Sequence, residues 1–201
     1  MKKFGTAVIL AGGKSTRMGF DKQLLKINER RLIDNLRRKL NKNFDEIIVV
    51  TNKSEYYLGF PDKITKDIII GKGPLSGIHA GLKASSSQYA YFVACDMPNI
   101  NLDYIEYMKE ELKELKVKAC ITRFGEWIEP FNAFYSKGMI ENIEEHLSYN
   151  RRSVNSLLSK LSVYYIEEEK AREFSPNWDM FLNLNTKEEL NDYLKIINSQ
   201  N

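Results

Sequence analysis

Thr6-Ala7-Val8-Ile9-Leu10 runs directly into Ala11-Gly12-Gly13-Lys14-Ser15-Thr16-Arg17-Met18-Gly19-Phe20-Asp21-Lys22. The first five residues form an unbroken apolar run, the pattern of a strand buried on both faces. The glycines that follow let backbone N–H groups approach an anion closely, and Lys14, Arg17 and Lys22 bring three cations to the same loop. Taken alone, a Gly-Gly pair serves equally well as a solvated strand–helix turn. Two common phosphate loops fail on register. G-x-x-x-x-G-K-[ST] needs its first glycine at Val8, and Gly12, Gly13 and Gly19 do not fit G-x-G-x-x-G.

The strand signal recurs outward from this point. Glu46-Ile47-Ile48-Val49-Val50 closes on Thr51-Asn52, Ile68-Ile69-Ile70 on Gly71, and Tyr91-Phe92-Val93-Ala94-Cys95 on Asp96. Between these runs lie helical stripes: Leu32, Ile33, Leu36 and Leu40, then Leu102, Ile105, Met108, Leu112 and Leu115 behind Asn101 as N-cap. A third stripe, Leu190, Tyr193, Leu194 and Ile197, opens with Thr186-Lys187-Glu188-Glu189, a capping-box pattern. Ala119-Cys120-Ile121-Thr122, Phe131-Asn132-Ala133-Phe134-Tyr135 and Val163-Tyr164-Tyr165-Ile166 read as later strands. The alternation predicts an α/β, doubly wound, mostly parallel sheet in three layers. No repeat or linker divides the chain, which reads as a single domain over residues 1–201.

Composition narrows the function. With 201 residues, 43% hydrophobic and 28% charged, the chain can bury a sizeable core, and a net charge of +3 gives no general reason to bind nucleic acid. No apolar run reaches the roughly 20 residues that span a bilayer, and the run after Lys2-Lys3 is too short for a signal-peptide core. Cys95 and Cys120, both in apolar runs, read as reduced core thiols of a cytoplasmic protein. His79 and His146 are isolated and take no role.

The loop LAGGKSTRMGFDK resembles the signature of the molybdenum cofactor guanylyltransferase family, within the nucleotidyltransferases. Later segments resemble the same family in order: Gly73-Pro74-Leu75-Ser76-Gly77-Ile78, Cys95-Asp96-Met97-Pro98, Glu129-Pro130-Phe131-Asn132-Ala133-Phe134-Tyr135, and Phe181-Leu182-Asn183-Leu184-Asn185-Thr186. Phe131 stands where the family usually has leucine. The resemblance implies a Rossmann-like nucleotidyltransferase fold, with a GTP-binding N-terminal half and a pterin-binding C-terminal half. It implies that Leu10, Ala11, Gly12, Gly13, Lys22, Asn52, Asp67 and Asp96 hold the nucleotide. Lys22, Arg17 and Asp96 would act on the phosphates, with Asp96 holding Mg²⁺. Arg151, Arg152, Asn183 and Asn185 would meet the pterin.

Each of these residues also has an ordinary local role: Asn52 as a turn residue, Asp96 as a cap before Pro98, and Arg151-Arg152 as an exposed basic turn. The implied reaction joins GMP from GTP to the molybdopterin cofactor and releases pyrophosphate, with molybdoenzyme-maturation proteins as possible partners. A cytidylyltransferase or sugar-phosphate nucleotidyltransferase, and a non-catalytic GTP-binding carrier of the cofactor, are the alternatives. Gly13, and Lys22 together with Asp96, weigh against them.

Overall fold

The computed structural model describes residues 1–12, 21–27 and 29–199. In chain order its elements are β1 (Thr6–Leu10), β2 (Lys26–Ile27), β3 (Arg30–Arg31), α1 (Leu32–Leu40), β4 (Glu46–Val50), β5 (Lys63–Thr65), α2 (Pro74–Ala84) and β6 (Tyr89–Ala94). There follow α3 (Leu102–Glu111), β7 (Ala119–Phe124), β8 (Trp127–Ser136), α4 (Ile140–Ser148), α5 (Val154–Leu158), β9 (Val163–Glu167), α6 (Glu168–Phe174) and α7 (Lys187–Ser199). Seven strands make one sheet in the order β5-β4-β1-β6-β8-β7-β9, and β2 pairs with β3 in a small ribbon. Strand β8 runs antiparallel to both its neighbours; every other pair in the large sheet is parallel.

The three layers follow from the pleat of β1. Ala7 and Ile9 point into a core shared with Leu32, Ile33 and Leu36 of α1 and Tyr104, Ile105 and Met108 of α3. Val8 and Leu10 point the other way, into a core shared with Leu75 and Ile78 of α2 and Ile143 and Leu147 of α4. Successive strand side chains alternate between faces, so a continuous apolar strand serves both cores at once. Asn101 caps α3 by accepting from Tyr104 N at 3.0 Å. Thr186 and Glu189 form the capping box of α7, with Glu189 N donating to Thr186 Oγ1 at 3.1 Å and Thr186 N to Glu189 Oε2 at 2.9 Å.

Two local readings are corrected. Ile68-Ile69-Ile70 is not a strand: Ile68 is 59% and Ile70 78% exposed, in a bend that closes on the left-handed Gly71. The edge position belongs to β5, where Ile64 pairs with Val49. An edge strand needs only one covered face, so its sequence carries a weaker apolar signal than the loop after it. Helix α3 also ends at Glu111, leaving Leu112 as its C-cap and Leu115 outside.

Pro74 occupies the first turn of α2, as its fixed φ favours. Gly81 lets the helix lie against the sheet, since a Cβ there would stand 2.7 Å from Phe92 Cε1 and 2.8 Å from Val8 Cγ1. Gly81→Ala is expected to lower the unfolding free energy by about 1–3 kcal/mol through overpacking, although alanine is the better helix former. A denaturant melt of the variant measures this, and unchanged stability would show that α2 can move away from the sheet.

Candidate active site at the carboxyl edge of the sheet

The register of the central strands builds the site. Leu10 pairs with both Val50 and Ala94, so β1, β4 and β6 end level with one another. The ladder continues one residue further: Ala11 N donates to Val50 O at 2.9 Å, Cys95 N to Leu10 O at 3.0 Å, and Thr51 N to Thr65 O at 2.8 Å. Gly12, Asn52 and Asp96 therefore emerge side by side at the carboxyl edge, where open α/β sheets bind ligands.

Asp96 is buried, with 8% of its surface exposed. Lys22 Nζ lies 2.6 Å from Asp96 Oδ2 and donates also to Asn185 Oδ1 at 2.6 Å. Three residues from distant parts of the chain thus converge on one ammonium. The C-terminal segment is fastened here through its backbone as well, since Leu184 N donates to Asp96 O at 2.9 Å. Asn185 Nδ2 donates to Asn183 O at 3.3 Å and Asn183 Nδ2 to Phe181 O at 3.0 Å, which fixes both amides.

Lys22 begins a 3-10 turn, Lys22–Leu24, which Asp21 caps by accepting from Gln23 N at 3.1 Å. The Gln23 side chain is buried and ties this turn to the end of β4. Its Oε1 accepts from Thr51 Oγ1 at 2.6 Å and from the Tyr57 hydroxyl at 3.2 Å, and its Nε2 donates to Asp21 Oδ1 at 3.2 Å. Lys53 Nζ adds a bond to Asp21 Oδ2 at 2.6 Å. Burial alone would raise the Asp21 pKa, but the Lys53 ammonium and the Gln23 donors outweigh it and hold the carboxyl below its ordinary value. Sequence reading missed Gln23, Thr51, Tyr57 and Lys53 as a group. The only hint was the polar Gln23 before Leu24-Leu25.

Asn52 and Asp67 meet at the far end of the edge. Asn52 Nδ2 donates to Asp67 Oδ2 at 2.8 Å, and Asp67 N donates to Asn52 Oδ1 at 3.2 Å. The arginines lie elsewhere. Arg151 and Arg152 are exposed in the loop after α4, away from the Asn52–Asp67 pair. Asn150, at φ 58°, accepts on Oδ1 from Arg152 Nη2 at 3.2 Å and from Lys72 Nζ at 2.8 Å. Lys72 is a third cation of this group that spacing did not suggest. Gly13, Lys14 and Arg17 lie outside the described residues.

Cys95 and Cys120 are buried and free, and burial pushes both thiols up, away from nucleophilic use. His79 Nε2 sits 2.8 Å from Glu144 Oε1, between α2 and α4, while burial pulls the His146 pKa down. Among the described residues no three His, Cys, Asp or Glu side chains gather as a metal cluster. No described helix is long and apolar enough to cross a membrane.

Comparison with known proteins agrees with this geometry. The family model for the MobA-like NTP transferase domain matches residues 7–164. The chain belongs to this family. A probable molybdenum cofactor guanylyltransferase of Peptoclostridium acidaminophilum is 55% identical over 200 residues, covering 97% of this chain and 90% of that protein. The molybdenum cofactor guanylyltransferase of Syntrophotalea carbinolica is 54% identical over 187 residues, covering 93% and 89%. The crystal structure of molybdopterin-guanine dinucleotide biosynthesis protein A from Archaeoglobus fulgidus shares the fold, with a TM-score of 0.85 at 24% identity over 96% of this chain and 99% of that one. In this MobA-like chain the asparagines at 183 and 185 fall beyond the matched domain, yet one of them bonds the lysine that pairs with Asp96.

Gln23→Leu removes the acceptor for Thr51 and Tyr57 and leaves both hydroxyls buried without it. A loss of about 1–3 kcal/mol in unfolding free energy is expected, measured by chemical denaturation. Unchanged stability would show that the two hydroxyls find other partners.

Proposed function

We propose that this MobA-like transferase moves GMP from GTP to the molybdenum-bound molybdopterin cofactor, releasing pyrophosphate and forming the guanine dinucleotide. The observation that carries the reading is the junction of Lys22, Asp96 and Asn185 at the end of β6. It joins the loop side, expected to take the triphosphate, to the C-terminal segment expected to take the pterin. The names of the relatives from Peptoclostridium and Syntrophotalea support the same substrates.

The chemistry is a displacement at phosphorus. An oxygen of the cofactor's terminal phosphate forms a bond to the α-phosphorus of GTP, and the α–β bridging bond breaks. Its electron pair leaves with pyrophosphate. The attacking phosphate is already ionised, so no general base is needed, and positioning with charge stabilisation supplies the rate. Gly12 offers an open backbone approach, since among the described residues nothing lies within 4 Å of where a Cβ would stand. Lys22 puts a preorganised ammonium at the phosphates, and Arg17 is expected to assist it. Leu10 and Ala11 carry the loop to the base, where Asn52 orients Asp67 toward the N–H edge of guanine.

Nucleotidyltransfer calls for a divalent cation, and Asp96 suits one. It is a buried carboxylate at a strand end with no metal cluster around it among the described residues. Mg²⁺ commonly takes one or two protein carboxylates and completes its shell with phosphate and water. Bound there, Mg²⁺ would neutralise charge on the phosphates. Asn183, Asn185, Arg151 and Arg152 remain the proposed pterin contacts. The N-terminal half of one domain takes GTP and the C-terminal half takes the cofactor. The setting is cytoplasmic, with maturation proteins for molybdoenzymes as the onward partners.

A pyrophosphate-release assay with GTP and the molybdopterin cofactor tests this reading. Asp96→Ala is expected to abolish release while its melting curve still shows one cooperative transition. Lys22→Ala is expected to lower kcat/KM by about 10²–10³, the usual loss for one preorganised charge. Normal turnover in either variant removes that residue from the mechanism. Faster release with CTP than with GTP would favour a cytidylyltransferase.

A further inference from the structure

Glu129 is an acidic residue of the family-like motifs that the mechanism above does not use. It stands near the start of β8, the strand that runs against the rest of the sheet. That reversal brings the beginning of β8 to the edge where β6 ends. From the pair Phe92 and Ala133, β6 rises to Asp96 while β8 steps back to Glu129. The two carboxylates thus reach the same edge on neighbouring strands.

The face is set by the pleat. Ile128 packs against the core on the α2 and α4 side. Its neighbour Glu129 points to the other side, where Trp178 packs. Trp178 lies in the C-terminal segment that also carries Asn183 and Asn185. Burial raises the Glu129 pKa, and the Trp178 side chain works against that rise. An ionised carboxylate offers about four acceptor positions, so one indole donor leaves most of them unused.

Aromatic rings gather around Trp178. The Trp178 ring packs 4.6 Å from that of Phe181 and 5.4 Å from that of Phe124. Trp127, two residues before Glu129 and therefore on the same face of β8, is 77% exposed. Flat apolar walls beside an acceptor pair suit a planar heterocycle that presents two adjacent N–H donors.

We infer that Glu129 is the residue that reads the pterin ring, accepting from its ring N–H and its neighbouring exocyclic amine. The inference rests on the proposed transfer to the molybdopterin cofactor. Guanine carries the same pair of donors, and Asp67 stands at the other end of the edge to meet them. The strand order then separates the two recognitions: Asp67 follows β5, Asp96 follows β6, and Glu129 opens β8. Each ring of the dinucleotide product meets one carboxylate, with the phosphate chemistry between them.

Steady-state kinetics with Glu129→Gln and Glu129→Ala test this. The glutamine places a donor where the ring also donates. Both variants are expected to raise the KM for the molybdopterin cofactor about tenfold or more, while kcat and the KM for GTP stay within about twofold. A merely structural role would move GTP binding too, and that outcome, or an unchanged cofactor KM, would overturn the assignment. Competition in the wild-type protein needs no variant. Free 6-carboxypterin is expected to compete with the cofactor, and the matching lumazine, with a carbonyl in place of the amine, is not. Equal inhibition by the two would overturn the assignment even if the variants failed to fold. Absence of any GMP transfer by the wild-type protein would defeat the functional reading itself, and Glu129 with it.

Discussion

The ammonium of Lys22 lies between the Asp96 carboxylate and the Asn185 amide, and the rest of the site is arranged to keep it there. A carboxylate at the buried end of a central strand needs a compensating charge, because losing one partner of such a pair typically costs about 3–5 kcal/mol. Here the partner, Lys22, comes from 74 residues earlier in the chain, and that lysine's second acceptor lies 163 residues beyond it. The pairing therefore fastens the Lys22–Leu24 turn, the β6 turn and the C-terminal segment to one point. That point holds the cationic group proposed for the phosphates.

That point is held from below by hydrogen bonds between elements. Gln23 links the turn bearing Lys22 to Thr51, the residue before Asn52. The group proposed for the phosphates and the group proposed for the base therefore share one buried support. On the other flank, the bond from Leu184 N to Asp96 O ties the segment carrying Asn183 and Asn185 to the backbone of the carboxylate. Loops at the edge of an open sheet are ordinarily variable and mobile. Here the Lys22–Leu24 turn and the turns at the ends of β4 and β6 are joined crosswise, a plain route to preorganised charge.

Much of this was legible in the sequence, for identifiable reasons. Strands β1, β4 and β6 are covered on both faces, so their runs are continuous and bounded by glycine, threonine or aspartate. Asp96 was legible because it directly follows such a run. Strand β5 was hidden because an edge strand needs little apolar surface, and the exposed Ile68-Ile69-Ile70 nearby gave a stronger but misleading signal. Asn185 was expected to face a pterin. Its bond to Lys22 was not, because nothing in local spacing reports a contact across 163 residues. Gln23 was missed since a single buried amide has no pattern of its own. The pairing of Asn52 with Asp67 joins two residues picked out separately, one at the end of β4 and one just past the edge strand.

In the proposed reaction the Lys22–Asp96 junction directs attack on the α-phosphorus of GTP. Single-turnover reactions of the wild-type protein with the molybdopterin cofactor and GTP labelled at either the α- or the γ-phosphate test it most directly. The account predicts that the α label appears in the pterin product and the γ label in pyrophosphate, and that both transfers are lost together in Asp96→Ala. Release of the γ label as inorganic phosphate, with no α label in the pterin product, would contradict it.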